Sequence, residues 1–435
     1  MINLFDYYSQ ESWDLHYSLL SSGYKHPTVV IHDEGFLPDD VTSPYQFITG
    51  FDKVEGHPLY FNEIKVPDLW EITSTSQSGQ IYEYNKLRAN ITYSKPSYRR
   101  FVKEVQWLDE NGKIFTVDKY NKQGYCFAKT VYDLQGKPTS TTYLTEDNKE
   151  VLVENHKTGD LILNQDNNIL VFKNQTEFVS YYLRISGFDT SRILYNSLAT
   201  PFFVAHQMGH TKGDILFWQE NVRPDIPYNM ELLLESSQTK IVVQNWASYE
   251  KIKEILPNEE RLSYLGYLYP KRRQNLLRPN ILILTNSDNI EQLTRLVEQL
   301  PQYNFHIGAI TEMSSKLLAY SKYDNVKLYP NISDEKLELL KQKCDIYLDI
   351  NHGNEIFTAT RSAFEQAMLI LCFKETQHQS KYIAEQNSYW ITEVDQMIQH
   401  LEKIYENPTA FKESLDKQYK ALKLGNENSY KQIIK

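Results

Sequence analysis

Residues 344–371, CDIYLDINHGNEIFTATRSAFEQAMLIL, decide the fold class. Positions 345–350 form a short apolar run of the kind found in buried parallel strands, and the polar loop 351–355 follows it. A helix is expected next. Ala359, Ala363, Ala367 and the run 368–371 supply its inward face, and Glu365 lies on the same helix. A strand that delivers a loop and then a helix N-terminus is where α/β proteins hold anionic ligands, because unpaired N–H groups and the helix dipole converge there.

Outward from that stretch the same rhythm repeats. Strands are expected at 281–284, 305–308 and 326–329, with helices at 288–300 and 333–343 between them and at 394–405 and 410–423 after them. The beginning of the chain behaves alike, with a helix at 10–22 stopped by Gly23 and a β-branched strand at 28–31. Further strands are expected at 214–219 and 240–244, and helices at 229–236 and 247–256. Between these two parts lies a different pattern. Turn signals recur at Asn111-Gly112, Gln123-Gly124, Gln135-Gly136, Asp147-Asn148, Thr158-Gly159 and Asn167-Asn168, mostly about a dozen residues apart, with alternating segments between them. The expected architecture is α/β: a pair of Rossmann-like domains facing a cleft, with an inserted antiparallel β-meander of about six to eight strands. The first domain comprises 1–73 and 172–268, the meander 74–171 and the second domain 269–435.

Composition narrows the function. At 435 residues, 41% hydrophobic and 23% charged, the chain can bury more than one core. Its net charge of −10 argues against a dedicated nucleic-acid binder. Three cysteines without metal-ligand spacing suit a reducing cytosol. The first residues lack a signal-peptide pattern, and no apolar run approaches the roughly 20 residues of a membrane span. The 32 tyrosines, beside 19 phenylalanines, point to sheet faces or recognition surfaces. Tyr120, Tyr125, Tyr132 and Tyr143 form an aromatic stripe in the meander, read either as sheet packing or as a surface for a partner and acceptor.

The opening NLFDYYSQESWDLHYSLLSSGY (3–24), the segments FLPDD (36–40) and SPYQFITG (43–50), and the inserted meander resemble one family. It is the stabilising subunit of the accessory-Sec O-GlcNAc transferase complex of Gram-positive cocci and lactobacilli, itself similar to the GT-B glycosyltransferases. The resemblance implies a non-catalytic, cofactor-free cytoplasmic protein. Its partner would be a catalytic GT-B O-GlcNAc transferase subunit, met through the meander and kept soluble, and it would help to bind a serine-rich-repeat adhesin as acceptor.

The resemblance also says what an active site should contain. Retaining GT-B enzymes carry Glu-x7-Glu, the first carboxylate beside the donor sugar and the second on the ribose. With Glu365 as the second, the first position is Phe357, and a benzyl ring cannot accept a hydrogen bond from a sugar hydroxyl. Glu355 is two residues early, and the glycine-rich loop of that family is reduced to His352-Gly353-Asn354. The strand end 285–288 and the segment 308–312 offer no cation to a diphosphate. Glu365, Arg361 and Glu355 are therefore the candidates for a vestigial nucleotide site, with a structural hydrogen bond as the other reading of Glu365. The alternative function is an active retaining GT-B glycosyltransferase using UDP-GlcNAc, with Glu365 and Arg361 on the nucleotide. His206 and His210 have the i, i+4 spacing of shared metal ligands but no third ligand, so they read as polar loop and no metal is expected. The basic run Lys271-Arg272-Arg273 with Arg278 reads as a solvated interdomain linker, with a phosphate or peripheral membrane contact as the alternative.

Overall fold

The computed structural model describes residues 1–165, 168–209, 213–221 and 224–435. The chain divides into two compact units, Met1–Tyr267 with Asn426–Lys435, and Leu268–Gly425. Each contains a parallel sheet, and the first also carries a large antiparallel one. Among the described residues no helix is long and apolar enough to cross a membrane.

The parallel sheet of the first unit runs in the order Leu262–Tyr264, Lys240–Val243, Ile215–Trp218, Ile193–Tyr195, Ile2–Tyr7, Thr28–His32, Val41–Thr42. Its central strands are apolar on both faces because helices cover both: Ile2, Leu4, Phe5, Val29, Val30 and Ile31 are fully buried. Helix Gln10–Ser21 begins where Ser9 accepts a hydrogen bond from Ser12 N, and it ends before Gly23, whose φ of 92° suits a glycine. The order reverses between Ile2–Tyr7 and Ile193–Tyr195. The chain from Trp70 to Phe172, between Val41–Thr42 and Ile193–Tyr195, forms the second sheet.

That sheet has ten strands, from Trp70–Ser74 to Asn168–Phe172, each antiparallel to the next. It is larger than the six to eight strands expected, and its edge strand Trp70–Ser74 begins before the expected boundary at 74. Its regularity has a local cause. Asp109, Asn121, Asp133 and Thr145 stand twelve residues apart, each followed three positions later by Gly112, Gly124, Gly136 or Asn148 with positive φ. At Asp133 the carboxylate accepts from Gln135 N at 3.0 Å and Lys137 N at 2.9 Å, closing the turn; Asp109 and Asn121 do the same for their own turns. The Asn121 turn has a second task. Lys122 N donates to Gly35 O at 2.8 Å and Lys122 Nζ to Leu37 O at 2.9 Å, docking the meander onto the loops that follow strand Thr28–His32.

The second unit's sheet has the order Val326–Tyr329, Asn304–Ala309, Asn280–Thr285, Ile346–Asp349, Leu369–Phe373, Ser388–Tyr389, all parallel. Two expected elements change. Residues 369–371 belong to a strand, not to the preceding helix: Ala359–Glu365 stops at Gln366, Ala367 takes φ 56°, and Leu369 pairs with Ile346. The helix expected at 288–300 is shorter, Leu293–Gln299, because 288–292 form a loop.

The basic run 271–278 is not a solvated linker. Arg273 Nη1 reaches Asp345 Oδ1 at 2.5 Å, Arg278 Nε reaches Asp345 Oδ2 at 2.8 Å, and Arg278 N donates to the same oxygen at 2.9 Å. Asp345 is fully buried. Burial alone would raise its pKa, but the hydrogen bonds from Arg278 and Arg273 outweigh that and hold it below the usual carboxylate range. Asn275 Nδ2 adds bonds to the carbonyls of Asp345 and Ala367. The run thus clasps the sheet at the amino end of strand Ile346–Asp349.

Helix Glu427–Ile434 returns to the first unit, although the sequence suggested one continuous domain from 269 to 435. Tyr430 is fully buried there, donating to Gly266 O and accepting from Gln244 Nε2, both at 3.2 Å. Lys240 Nζ holds the carbonyl of Ile433 at 2.7 Å.

Two outcomes are expected in urea denaturation. A Cβ at Gly136 meets open space, so Gly136→Ala should cost only the left-handed backbone, about 1–2 kcal/mol. At Gly124 it would also lie 2.4 Å from His57 O, so Gly124→Ala should lower the midpoint distinctly further; equal losses would contradict the docking of that turn. Asp345→Ala should cost about 3–5 kcal/mol, since it leaves two arginines facing a buried gap.

Candidate functional site

The carboxyl ends of Asn280–Thr285 and Ile346–Asp349 lie where the strand order of the second unit reverses. Open α/β sheets take their ligands at this point, between the two loops that leave it. Here the two loops are bonded to each other. Glu291 N donates to Ile350 O at 2.8 Å, His352 N to Asn289 O at 3.0 Å, and Ile290 and Asn351 form an antiparallel bridge. His352 Nε2 lies 2.7 Å from Glu291 Oε2. Gly353 sits so close to the opposite loop that a Cβ would stand 1.9 Å from Asn286 Oδ1.

A second set of bonds fixes the loop from the other side. Asp349, fully buried at the end of its strand, accepts from His378 N at 2.9 Å and faces His378 Nδ1 at 2.5 Å. The other ring nitrogen, Nε2, lies 2.7 Å from Gly353 O. With a carboxylate on one side and a carbonyl on the other, both nitrogens donate and the ring is an imidazolium. The hydrogen bond to Asp349 raises the His378 pKa to about 9, against the lowering effect of burial, and the Gly353 carbonyl adds to the rise.

The three residues proposed from sequence for a nucleotide site lie in this corner, each with partners of its own. Arg361 Nε donates to Glu365 Oε1 at 2.8 Å, one turn apart on helix Ala359–Glu365, and Arg272 Nε donates to Glu365 Oε2 at 2.9 Å. Arg361 Nη1 donates to Tyr382 OH at 2.9 Å, and its guanidinium lies over the Tyr269 ring at 5.6 Å. Both Arg361 and Glu365 are buried. Glu355 Oε1 accepts from Thr360 N at 2.9 Å, and Oε2 accepts from Gln379 Nε2, so this carboxylate caps the helix. Just before the helix, Phe357 and Thr358 hold φ of 54° and 46°, a left-handed pair that glycines would adopt without strain.

The tyrosines of the meander do not share one environment. Tyr143 is buried and stacks on Tyr45 at 4.4 Å, inside the core of the first unit. Tyr120, Tyr125 and Tyr132 are half-buried, and burial pushes Tyr125 up to about 12. His206 lies in helix Thr200–Gln207 instead of a loop, and His210 is outside the described residues. Among the described residues no group of three or more His, Cys, Asp or Glu is arranged to hold a metal. Sequence reasoning missed His378 and Gln379, which come from a loop thirty residues downstream with no pattern of its own; the one available signal was the carboxylate ending a buried strand at Asp349.

The imidazolium makes a pH test. An unfolded histidine titrates near 6.5, so the contribution of the folded pair is complete below about pH 6.5 and is lost as pH rises through about 9. After allowance for solvent screening it is about 1–2 kcal/mol. Urea midpoints measured from pH 6 to 9.5 should therefore fall more in the wild type than in His378→Gln; parallel curves would contradict the assignment.

Four family models match the chain: the GtfB N-terminal domain at 2–48, the GtfB middle domain at 70–173, the GtfB third domain at 175–255, and the GftB/GlyA-F C-terminal domain at 281–418. A stabilizing protein GtfB of UDP-N-acetylglucosamine–peptide N-acetylglucosaminyltransferase from Streptococcus agalactiae is 46% identical over 92% of this chain and 91% of its own length. The protein of the same name from Limosilactobacillus reuteri subsp. suis is 41% identical over 100% and 99%. A chain in the crystal structure of a GtfA/B complex bound to UDP and GlcNAc matches with a TM-score of 0.94 at 43% identity, covering 99% of this chain and 98% of that one. On sequence, domain order and fold together, the chain belongs to the GtfB family of peptide N-acetylglucosaminyltransferase stabilizing proteins.

Proposed function

We propose that the chain is the non-catalytic, stabilising and acceptor-binding subunit of a protein O-GlcNAc transferase that modifies serine-rich-repeat adhesins. The catalytic subunit is a GT-B transferase, engaged through the ten-stranded sheet. In this reading the two parallel sheets are Rossmann-like halves of a GT-B-like protein, and residues 70–173 are an insertion given over to assembly. The observation that carries the reading is the state of the second unit's reversal point: its two loops are bonded together, and Arg272, Arg273, Arg278, Arg361 and His378 each face a carboxylate. A departing nucleoside diphosphate needs cations that strengthen their contact as charge develops. Cations already paired to buried carboxylates are poorly placed for that task.

The same pairing speaks against an active transferase working through Glu365 and Arg361, since both oxygens of Glu365 are engaged by arginines. Any vestigial nucleotide contact at Glu355, Arg361 and Glu365 would first have to break these bonds. Peripheral contact with the cytoplasmic face of a membrane would have to draw on Lys271 and the half-exposed Arg272, because Arg273 and Arg278 are committed to Asp345.

Co-expression tests the proposal. The catalytic subunit should be recovered in soluble, active form only with this chain, and the pair should transfer GlcNAc from UDP-GlcNAc to a Ser/Thr-rich repeat peptide. The chain alone should bind the peptide and transfer nothing. Turnover by the purified chain alone, abolished in Glu365→Ala, would overturn the reading.

A further inference from the structure

The first hairpin of the ten-stranded sheet is rich in hydroxyl groups: Thr73-Ser74-Thr75-Ser76-Gln77-Ser78 carries the chain from strand Trp70–Ser74 into strand Ser78–Glu83. We infer that this hairpin is itself an O-GlcNAc acceptor, modified at Thr73, Ser76 or Ser78 by the transferase to which the chain contributes. The inference rests on the role proposed above and adds to it a covalent site on the chain's own surface.

Three observations carry it. The first is composition. No charged residue lies between Glu71 and Glu83, so the hairpin has the chemistry of a neutral Ser/Thr-rich peptide, the acceptor class proposed for the complex.

The second is which hydroxyls are free. Thr75 Oγ1 accepts from Gln77 N and Ser78 N, both at 3.2 Å, and donates to Ser78 O at 3.1 Å. Ser74 Oγ donates to Thr75 O at 3.0 Å and lies 2.8 Å from Tyr93 OH. These two side chains close the turn. The hydroxyls of Thr73, Ser76 and Ser78 have no hydrogen-bond partner among the described residues; Thr73 and Ser78 are exposed and Ser76 is half-buried. A free hydroxyl can attack without first giving up a bond that holds the fold.

The third is position. Strand Trp70–Ser74 is the edge of its sheet and pairs only with Ser78–Glu83, so one side of its backbone is open and the turn is a tip. A second hydroxyl-rich run, Thr139-Ser140-Thr141-Thr142, lies in strand Pro138–Leu144, paired on both sides. There Thr139 Oγ1 donates to Val131 O at 3.0 Å and Thr141 Oγ1 lies 2.8 Å from Thr130 Oγ1. An enzyme that must draw backbone and hydroxyl into its own cleft can take the edge hairpin and not the inner strand.

The donor is UDP-GlcNAc. The hydroxyl oxygen bonds to C1 of the sugar while the bond from C1 to the diphosphate oxygen breaks; UDP leaves with that electron pair, and the hydroxyl proton passes to it. A neutral, bulky sugar at this place would also blunt the edge strand against pairing with another chain.

The test uses the chain co-expressed and purified with its catalytic subunit, incubated with UDP-GlcNAc with and without a Ser/Thr-rich repeat peptide. Intact mass should show this chain gaining N-acetylhexosamine in both samples, and fragmentation of the peptide containing 73–78 should place it on Thr73, Ser76 or Ser78. The variant Thr73→Ala/Ser76→Ala/Ser78→Ala, which alters only hydroxyls without partners, should lose the added sugar while its complex still modifies the repeat peptide. A complex that modifies the repeat peptide and leaves this chain bare, or sugar found on this chain only outside those three residues, would overturn the inference and leave the proposed role standing. A complex that modifies neither would overturn both.

Discussion

Two loops that leave the second unit's parallel sheet at its reversal point are hydrogen-bonded to one another, and much of the chemistry open to that unit follows from this. Main-chain bonds between 289–291 and 350–352 join them as a short ribbon, and Gly353 leaves room for the Asn286 amide, whose Oδ1 would stand 1.9 Å from a Cβ there. His378 then ties the far side of the same loop to the buried end of its strand. An enzyme of this topology would keep the two loops apart so that a phosphate group could reach main-chain N–H groups between them. Here the N–H groups of Glu291, His352 and Gly353 already have partners.

The distribution of charge tells the same story by a different route. The arginines of 271–278 and the helix that follows the loop face acidic groups that are themselves buried, Asp345 and Glu365. Buried ion pairs contribute little net stability relative to apolar packing, but losing either partner is severe, so they act as fixed points of geometry. These four arginines, Arg272, Arg273, Arg278 and Arg361, hold a shape. That is the expected economy of a protein whose contribution to a reaction is made through another chain.

Much of this was legible in the sequence, and the exceptions have physical causes. Both parallel sheets and the meander follow from hydrophobic period and from glycine-bearing turns, signals that depend only on neighbours along the chain. The absence of a carboxylate at Phe357, and of cations at 285–288 and 308–312, was equally plain. What the sequence did not disclose depends on distant pairing. The arginines of 271–278 look solvated until Asp345 is placed beneath them, seventy residues on. His378 carries no motif, and its charge is a property of Asp349 and Gly353 arriving on either side. Residues 369–371 have an apolar run that suits helix or strand alike, and the turn at Ala367 decides between them. Tyr143 shares a stripe with half-buried tyrosines by periodicity, but its stacking partner Tyr45, from helix Pro44–Thr49, draws it inside.

The return of helix Glu427–Ile434 to the first unit sets an order on biosynthesis. Strands Ile2–Tyr7 and Thr28–His32 emerge first from the ribosome, yet their neighbour Ile193–Tyr195 follows only after the entire meander has been made. Tyr430, which fills the same unit's interior, emerges after the whole second unit. The earliest part of the chain is therefore the last to be completed, while the hairpins, closed by turns within their own twelve residues, can form as they appear. A nascent chain of this kind closes its antiparallel hairpins long before the unit that carries them is whole.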